Sequence, residues 1–166
     1  MIKTEECELI SSTPQEMKES EKTADIQIKR KYNNESLLFI RFLKQKLGIQ
    51  ALYVFIHGNN GFVIVSKKPV VAKNKWNEYV NTKGQFSNFN IQFVKEKEDW
   101  VFQDILKILI PQISIQSIEV KENQIQLRIP QNQLKYAIGK NKRHLDLLNA
   151  FVKDCTCYSS ICFEPQ

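Results

Sequence analysis

Apolar residues first fall at mostly helical spacing between Glu35 and Leu47, at Leu37, Leu38, Ile40, Phe42, Leu43 and Leu47. That spacing predicts a helix, with Asn34 as its N-cap and Gly48 closing it. The pattern then changes. Ala51–His57 and Gly61–Ser66 are rich in β-branched and aromatic residues, and Gly58-Asn59-Asn60-Gly61 between them predicts a hairpin. Pro69 interrupts the chain, Val70–Thr82 reads as a helix closed by Gly84, and Phe89–Val94 alternates as a strand. In the second half, Trp100–Leu109 predicts a helix ended by Pro111. Ile115–Val120 and Gln124–Ile129 predict strands around Lys121-Glu122-Asn123. Gln131–Ile138 and Arg143–Lys153 predict two helices, and Thr156–Phe163 a closing strand. The second half therefore reads α-β-β-α-α-β, and the first α-β-β-(short)-α-β. Residues 1–25 show almost no apolar periodicity and read as a disordered acidic tail. The expected organisation is an α+β chain of two tandem units, 26–96 and 97–166, joined near Lys95–Asp99.

The two halves also share residues. Val70-Val71-Ala72-Lys73-Asn74-Lys75 matches Ala137-Ile138-Gly139-Lys140-Asn141-Lys142, 67 residues later. In the second copy a glycine sits among basic residues between two helices. Glycine there lets backbone come close to a ligand without a Cβ in the way. The helix that follows aims its free N–H groups and positive dipole end at the same point. Lys140, Lys142 and Arg143 add full charges. This arrangement suits phosphate, and a chain of phosphates is nucleic acid. Arg128 and Lys135 are close enough in sequence to widen the patch.

Charge supports a polyanion partner. The chain carries a net charge of +6 and a pI near 9.1. Residues 1–25 hold seven carboxylates against three lysines, a net of −4, so the rest carries +10. Cys155-x-Cys157 lacks zinc spacing, with no matching Cys/His pair elsewhere, so no metal or cofactor is expected. Cys155, Cys157 and Cys162 read as small strand residues in a reduced protein. No apolar run is long enough for a membrane span, and the acidic N-terminus lacks an apolar signal region. His57 and His144 have no acid or nucleophile partner in sequence, Trp76 and Trp100 suit core or rim, and no catalytic motif appears. The expectation is a non-enzymatic, intracellular protein of the cytoplasm or nucleoid. The richness in Lys, Asn, Ile and Gln hints at an AT-rich genome, an organelle such as a plastid included.

The order α-β-β-α-α-β, with a basic glycine turn between its two helices, resembles the type II KH domain. The resemblance covers about residues 99–163, and 35–95 more loosely. Two such units in tandem, with no OB-fold domain ahead of them, are similar to the archaeal type of NusA-like protein. Gly61-Phe62-Val63-Ile64-Val65 resembles the strand entering the family's first turn. Lys97–Val120 resembles the linker and first strand of its second domain, and Ala137-Ile138-Gly139-Lys140 its A-I-G-K signature. The resemblance implies binding of single-stranded RNA, with Gly139, Lys140, Asn141, Lys142, Arg143, Lys135 and Arg128 as the site. It also implies a role in transcription elongation or termination beside RNA polymerase. A ribosomal or ribosome-assembly role is the alternative, and a scaffold turned to protein contacts a third.

Two departures bear on the site. The family turn is G-x-x-G, and KH domains grip backbone with it. The second unit has lysine at its last position, Lys142. The first unit has Ala72-Lys73-Asn74-Lys75, with both glycines gone. Lys73, Asn74 and Lys75 are accordingly expected to form only a weaker RNA contact in a degenerate first domain.

Overall fold

The computed structural model describes residues 25–84, 86 and 88–166. The tail expected over residues 1–25 thus lies outside the described residues, except for Asp25. The chain forms two compact units, 30–99 and 100–166, with residues 25–29 belonging to the second. The Lys29 N–H donates to the Cys155 carbonyl at 2.7 Å, which ties that short segment to the second unit. The sequence had suggested it as the head of the first.

The first unit runs α1 (Asn34–Leu47), β1 (Ala51–His57), β2 (Asn60–Val65), α2 (Pro69–Lys83) and β3 (Asn90–Lys95). The N-cap of α1 is Asn33, one residue earlier than expected. Its side chain accepts the Ser36 N–H at 2.8 Å, and Ser36 Oγ accepts the Asn33 N–H at 2.9 Å. Asn34 could not build this reciprocal box, because Leu37 would stand three residues on and offers no acceptor. At the other end, Gly48 closes the helix in the left-handed conformation. Pro69 opens α2 rather than merely breaking the chain, since its fixed φ and missing N–H suit a first helical position. The sheet order is β1-β2-β3, antiparallel then parallel, and α2 provides the crossover that the parallel pair needs. Central β2 is buried on both faces and therefore reads as a continuous apolar run. Leu43, Val63, Val65, Ala72, Trp76 and Ile91 form the core under the helices. Phe39 and Phe86 hold Trp76 at ring distances of 5.8 and 5.7 Å.

The second unit runs α3 (Phe102–Leu109), β4 (Ser117–Lys121), β5 (Gln124–Ile129), α4 (Leu134–Ile138), α5 (Arg143–Cys155) and β6 (Ser160–Pro165). Short 3-10 turns at Gln131–Gln133 and Lys140–Lys142 precede α4 and α5. The chain is thus a mixed α+β protein with two small three-stranded sheets. Here too the order is antiparallel then parallel, β4-β5-β6, with Ser117 opposite Arg128 and Arg128 opposite Glu164. Along β5, Ile125, Leu127 and Ile129 are buried while Gln124, Gln126 and Arg128 alternate onto the other face. Phe102 and Phe151 meet at 6.4 Å and pack α3 against α5.

Side-chain caps move several ends. Asp104 accepts the Val101 N–H at 2.9 Å, so α3 starts at Phe102 and not Trp100. Thr156 Oγ1 donates to the Val152 carbonyl at 2.6 Å and accepts the Tyr158 N–H at 3.1 Å, which delays β6 to Ser160. Cys155 consequently ends a helix and Cys157 sits in the bend after it, rather than in a strand. Cys157 is disulfide-bonded. Cys155 and Cys162 take part in no disulfide. The expectation of reduced thiols is therefore corrected at Cys157, which lies half-buried between the last helix and the last strand. Among the described residues no helix is long and apolar enough to cross a membrane.

Candidate nucleic-acid interface

The turn between α4 and α5 is built on three unusual backbone positions. Gly139 has φ 81° and ψ 165°, a region essentially reserved for glycine. Asn141 and Lys142 follow at φ 58° and 62°, both left-handed. Asparagine tolerates this conformation, but a long unbranched lysine there costs about 1 kcal/mol. Lys142 is also the N-cap of the 13-residue helix α5, and it offers no side-chain acceptor to that helix's first N–H groups.

Gly139 owes its identity to packing. A Cβ placed on it would lie 2.9 Å from the backbone nitrogen and the ring of His144. His144 Nδ1 stands 3.0 Å from the Tyr136 carbonyl, so the imidazole braces the turn by joining α4 to the first turn of α5. The space that the missing Cβ leaves is filled from within the protein. The sequence reading had reserved it for a ligand.

What the turn presents outward is charge. Lys135, Lys140, Lys142 and Arg143 are all exposed. Among the described residues, none of their side chains has a hydrogen-bonding or ionic partner. Asp146, in the first turn of α5, is the nearest carboxylate in sequence and leaves the segment strongly positive. The turn's own hydrogen bonds use the N–H groups of Lys142 and Arg143, which donate to Gly139 and Lys140. Among the described residues, no such bond uses those of Lys140 and Asn141. Cationic side chains, free N–H groups and a helix N-terminus all favour an anion here.

Arg128 stands elsewhere. It projects from β5 on the face turned away from Leu127 and Ile129, and its guanidinium lies 3.6 Å from Glu164. Its charge is shared with a neighbour, so it does not extend the turn's patch.

The first unit has no equivalent turn at Ala72–Lys75. These residues lie inside α2, and Ala72 is buried against the core. Lys73 folds inward. Its Nζ donates to the Ile91 carbonyl and sits 6.0 Å from the Phe93 ring centre, and burial holds its pKa below the ordinary lysine value. Asn74 and Lys75 are exposed on the same helix, with Lys75 Nζ 3.7 Å from where a Cβ on Gly48 would be. The residue match to Ala137–Lys142 therefore does not carry over to the backbone. The structural counterpart of Lys142 is Lys68, the left-handed N-cap of α2 at φ 56°.

Sequence reasoning passed over Tyr136. Its side chain is 70 % exposed while the adjacent Ala137 is buried. The signal was present in sequence: if Ala137 packs inward, its neighbour on so short a helix faces out.

No family model matches the sequence, and no curated protein matches it. Among solved structures, the chain is similar to the crystal structure of APE1850, with a TM-score of 0.62 and 19% identity over 80% of this chain and 100% of that one. At that identity the likeness establishes a shared fold.

Proposed function

We propose that the protein binds single-stranded RNA through the turn between α4 and α5, in the manner of a type II KH domain. The observation that carries this reading is Lys142. A lysine is held in a left-handed conformation that glycine would adopt freely, at the tip of a turn whose other cations are exposed and, among the described residues, unpaired. Backbone strain spent on presenting an ammonium group makes sense where that group meets an anion. The order α-β-β-α-α-β and the antiparallel-then-parallel pairing of β4, β5 and β6 support the KH assignment of the second unit. The first unit serves as scaffold or protein-contact module, since the residues matching its turn are helical and Lys73 is turned inward. On the sequence resemblance, the protein acts as a NusA-like factor that holds nascent RNA during transcription elongation or termination.

The test is fluorescence anisotropy with a single-stranded RNA oligonucleotide, comparing the parent with Lys140→Asp/Lys142→Asp. Removing two exposed phosphate contacts at roughly 1 kcal/mol each weakens binding about 30-fold, and the new carboxylates add repulsion. A circular dichroism spectrum equal to the parent's confirms the fold of the variant. Unchanged affinity in a folded variant would remove the RNA assignment. Co-purification of tagged protein with RNA polymerase is expected, and co-sedimentation with ribosomes in its place would move the role to the ribosome.

A further inference from the structure

We infer that Tyr136 is a base-stacking platform, so that the site takes a strand with an unstacked base and not merely a phosphate. The inference rests on the RNA reading of the α4–α5 turn and adds the part of the ligand that the cations do not address. Among the described residues Tyr136 is the most exposed aromatic, at 70 %. The other exposed tyrosine, Tyr32, is engaged: its hydroxyl donates to the Leu52 carbonyl and its ring meets Tyr53 edge-on at 5.5 Å. Tyr136 has no ring, cation or hydrogen-bond partner for its side chain among the described residues. Single exposed apolar residues are ordinary on protein surfaces. Tyr136 differs in its position and its anchoring.

Its backbone is fixed on both sides. Ala137 next to it is fully buried, and its own carbonyl is 3.0 Å from His144 Nδ1. The ring is therefore carried on a braced turn of helix, and little order remains to be imposed when a base docks. Lys135 precedes it directly, and the Lys135 carbonyl accepts the Gly139 N–H at 3.1 Å, which sets the platform one helical turn from the basic loop. Arg143 is the residue before the bracing His144. A flat aromatic face beside cations that grip backbone is how proteins hold single strands with little sequence preference, since every base has a π-face. Duplex RNA keeps its bases stacked inside and cannot offer one.

Tyr136→Ala and Tyr136→Phe are compared with the parent in the full chain, on a single-stranded RNA and on the same strand with abasic positions. One stacked base is worth roughly fivefold to a hundredfold in affinity. Tyr136→Ala should lose that much on the intact strand and far less on the abasic one. Tyr136→Phe should bind like the parent, because the face matters and the hydroxyl has no partner. The salt dependence of Tyr136→Ala should keep the parent's slope, because no phosphate contact is removed. A merely structural role would lower affinity for both strands alike and shift the unfolding midpoint. Parental affinity of Tyr136→Ala, or an equal loss on both strands, overturns the platform while leaving the cationic turn standing. If Lys140→Asp/Lys142→Asp leaves affinity unchanged, the RNA reading falls and the platform falls with it.

Discussion

Gly139 and Lys142 sit three residues apart in one turn and answer to different demands. Gly139→Ala would push a methyl group into the His144 backbone and ring and force alanine into a glycine-only conformation. We expect a loss of about 3 kcal/mol in urea unfolding, combining backbone strain with overpacking. Lys142→Gly should do the opposite. It relieves a left-handed lysine and stabilises the fold by about 0.5–1 kcal/mol, yet weakens RNA binding by roughly 1 kcal/mol through the lost contact. Stability and affinity moving in opposite directions would mark Lys142 as a residue kept for its charge. If Lys142→Gly tightened binding instead, backbone approach and not charge would limit the site. Both residues could be picked out from sequence, because a glycine among lysines departs visibly from G-x-x-G. What fills the space beside Gly139 could not be seen, because His144 lies five residues on and reaches it only once the turn is formed.

At the scale of elements, strand and helix order was legible from periodicity, and the ends were moved by polar side chains. Asn33 with Ser36, Asp104 and Thr156 each capture a backbone group through a local hydrogen bond, and apolar spacing does not record such bonds. The match of Val70–Lys75 to Ala137–Lys142 misled for a related reason. Six aligned residues, three of them identical, do not fix a backbone when one copy follows Pro69, which opens a helix, and the other begins in the last turn of the short helix α4, which Gly139 closes. The consequence is measurable by neutralising charge without adding any. Lys73→Met/Lys75→Met should leave RNA affinity within about twofold of the parent, since Lys73 is committed to the Ile91 carbonyl and Lys75 lies mid-helix. Lys140→Met/Lys142→Met should weaken it by about 30-fold at roughly 1 kcal/mol per contact. Equal losses from the two pairs would mean that both units grip RNA, and the asymmetry drawn from the buried Lys73 would be wrong.

For the whole molecule the question is whether binding is local or spread over the surface. Net charge alone favours spread: the chain beyond residue 25 carries +10, enough to attract any polyanion. The arrangement of that charge argues for a local grip. Arg30 is bonded to Glu96 at 2.6 Å, Arg128 lies by Glu164, and Lys73 is turned inward, so several cations are already committed. The turn at Lys140–Arg143 concentrates free ones on a braced scaffold. Each phosphate neutralised on a single strand contributes about −0.7 to the slope of log affinity against log salt. Two or three contacts at the turn give a slope of about −1.5 to −2, whereas ten diffuse contacts would give about −7. Titrating a short single-stranded RNA from roughly 50 to 200 mM salt separates the two. A slope near −1.5 to −2 that becomes shallower in Lys140→Met/Lys142→Met would place the electrostatic contact at this turn. A steep slope indifferent to that change would make the protein a general polyanion binder. A flat response would mean that what it recognises is not held by phosphate, and would favour a protein partner over RNA.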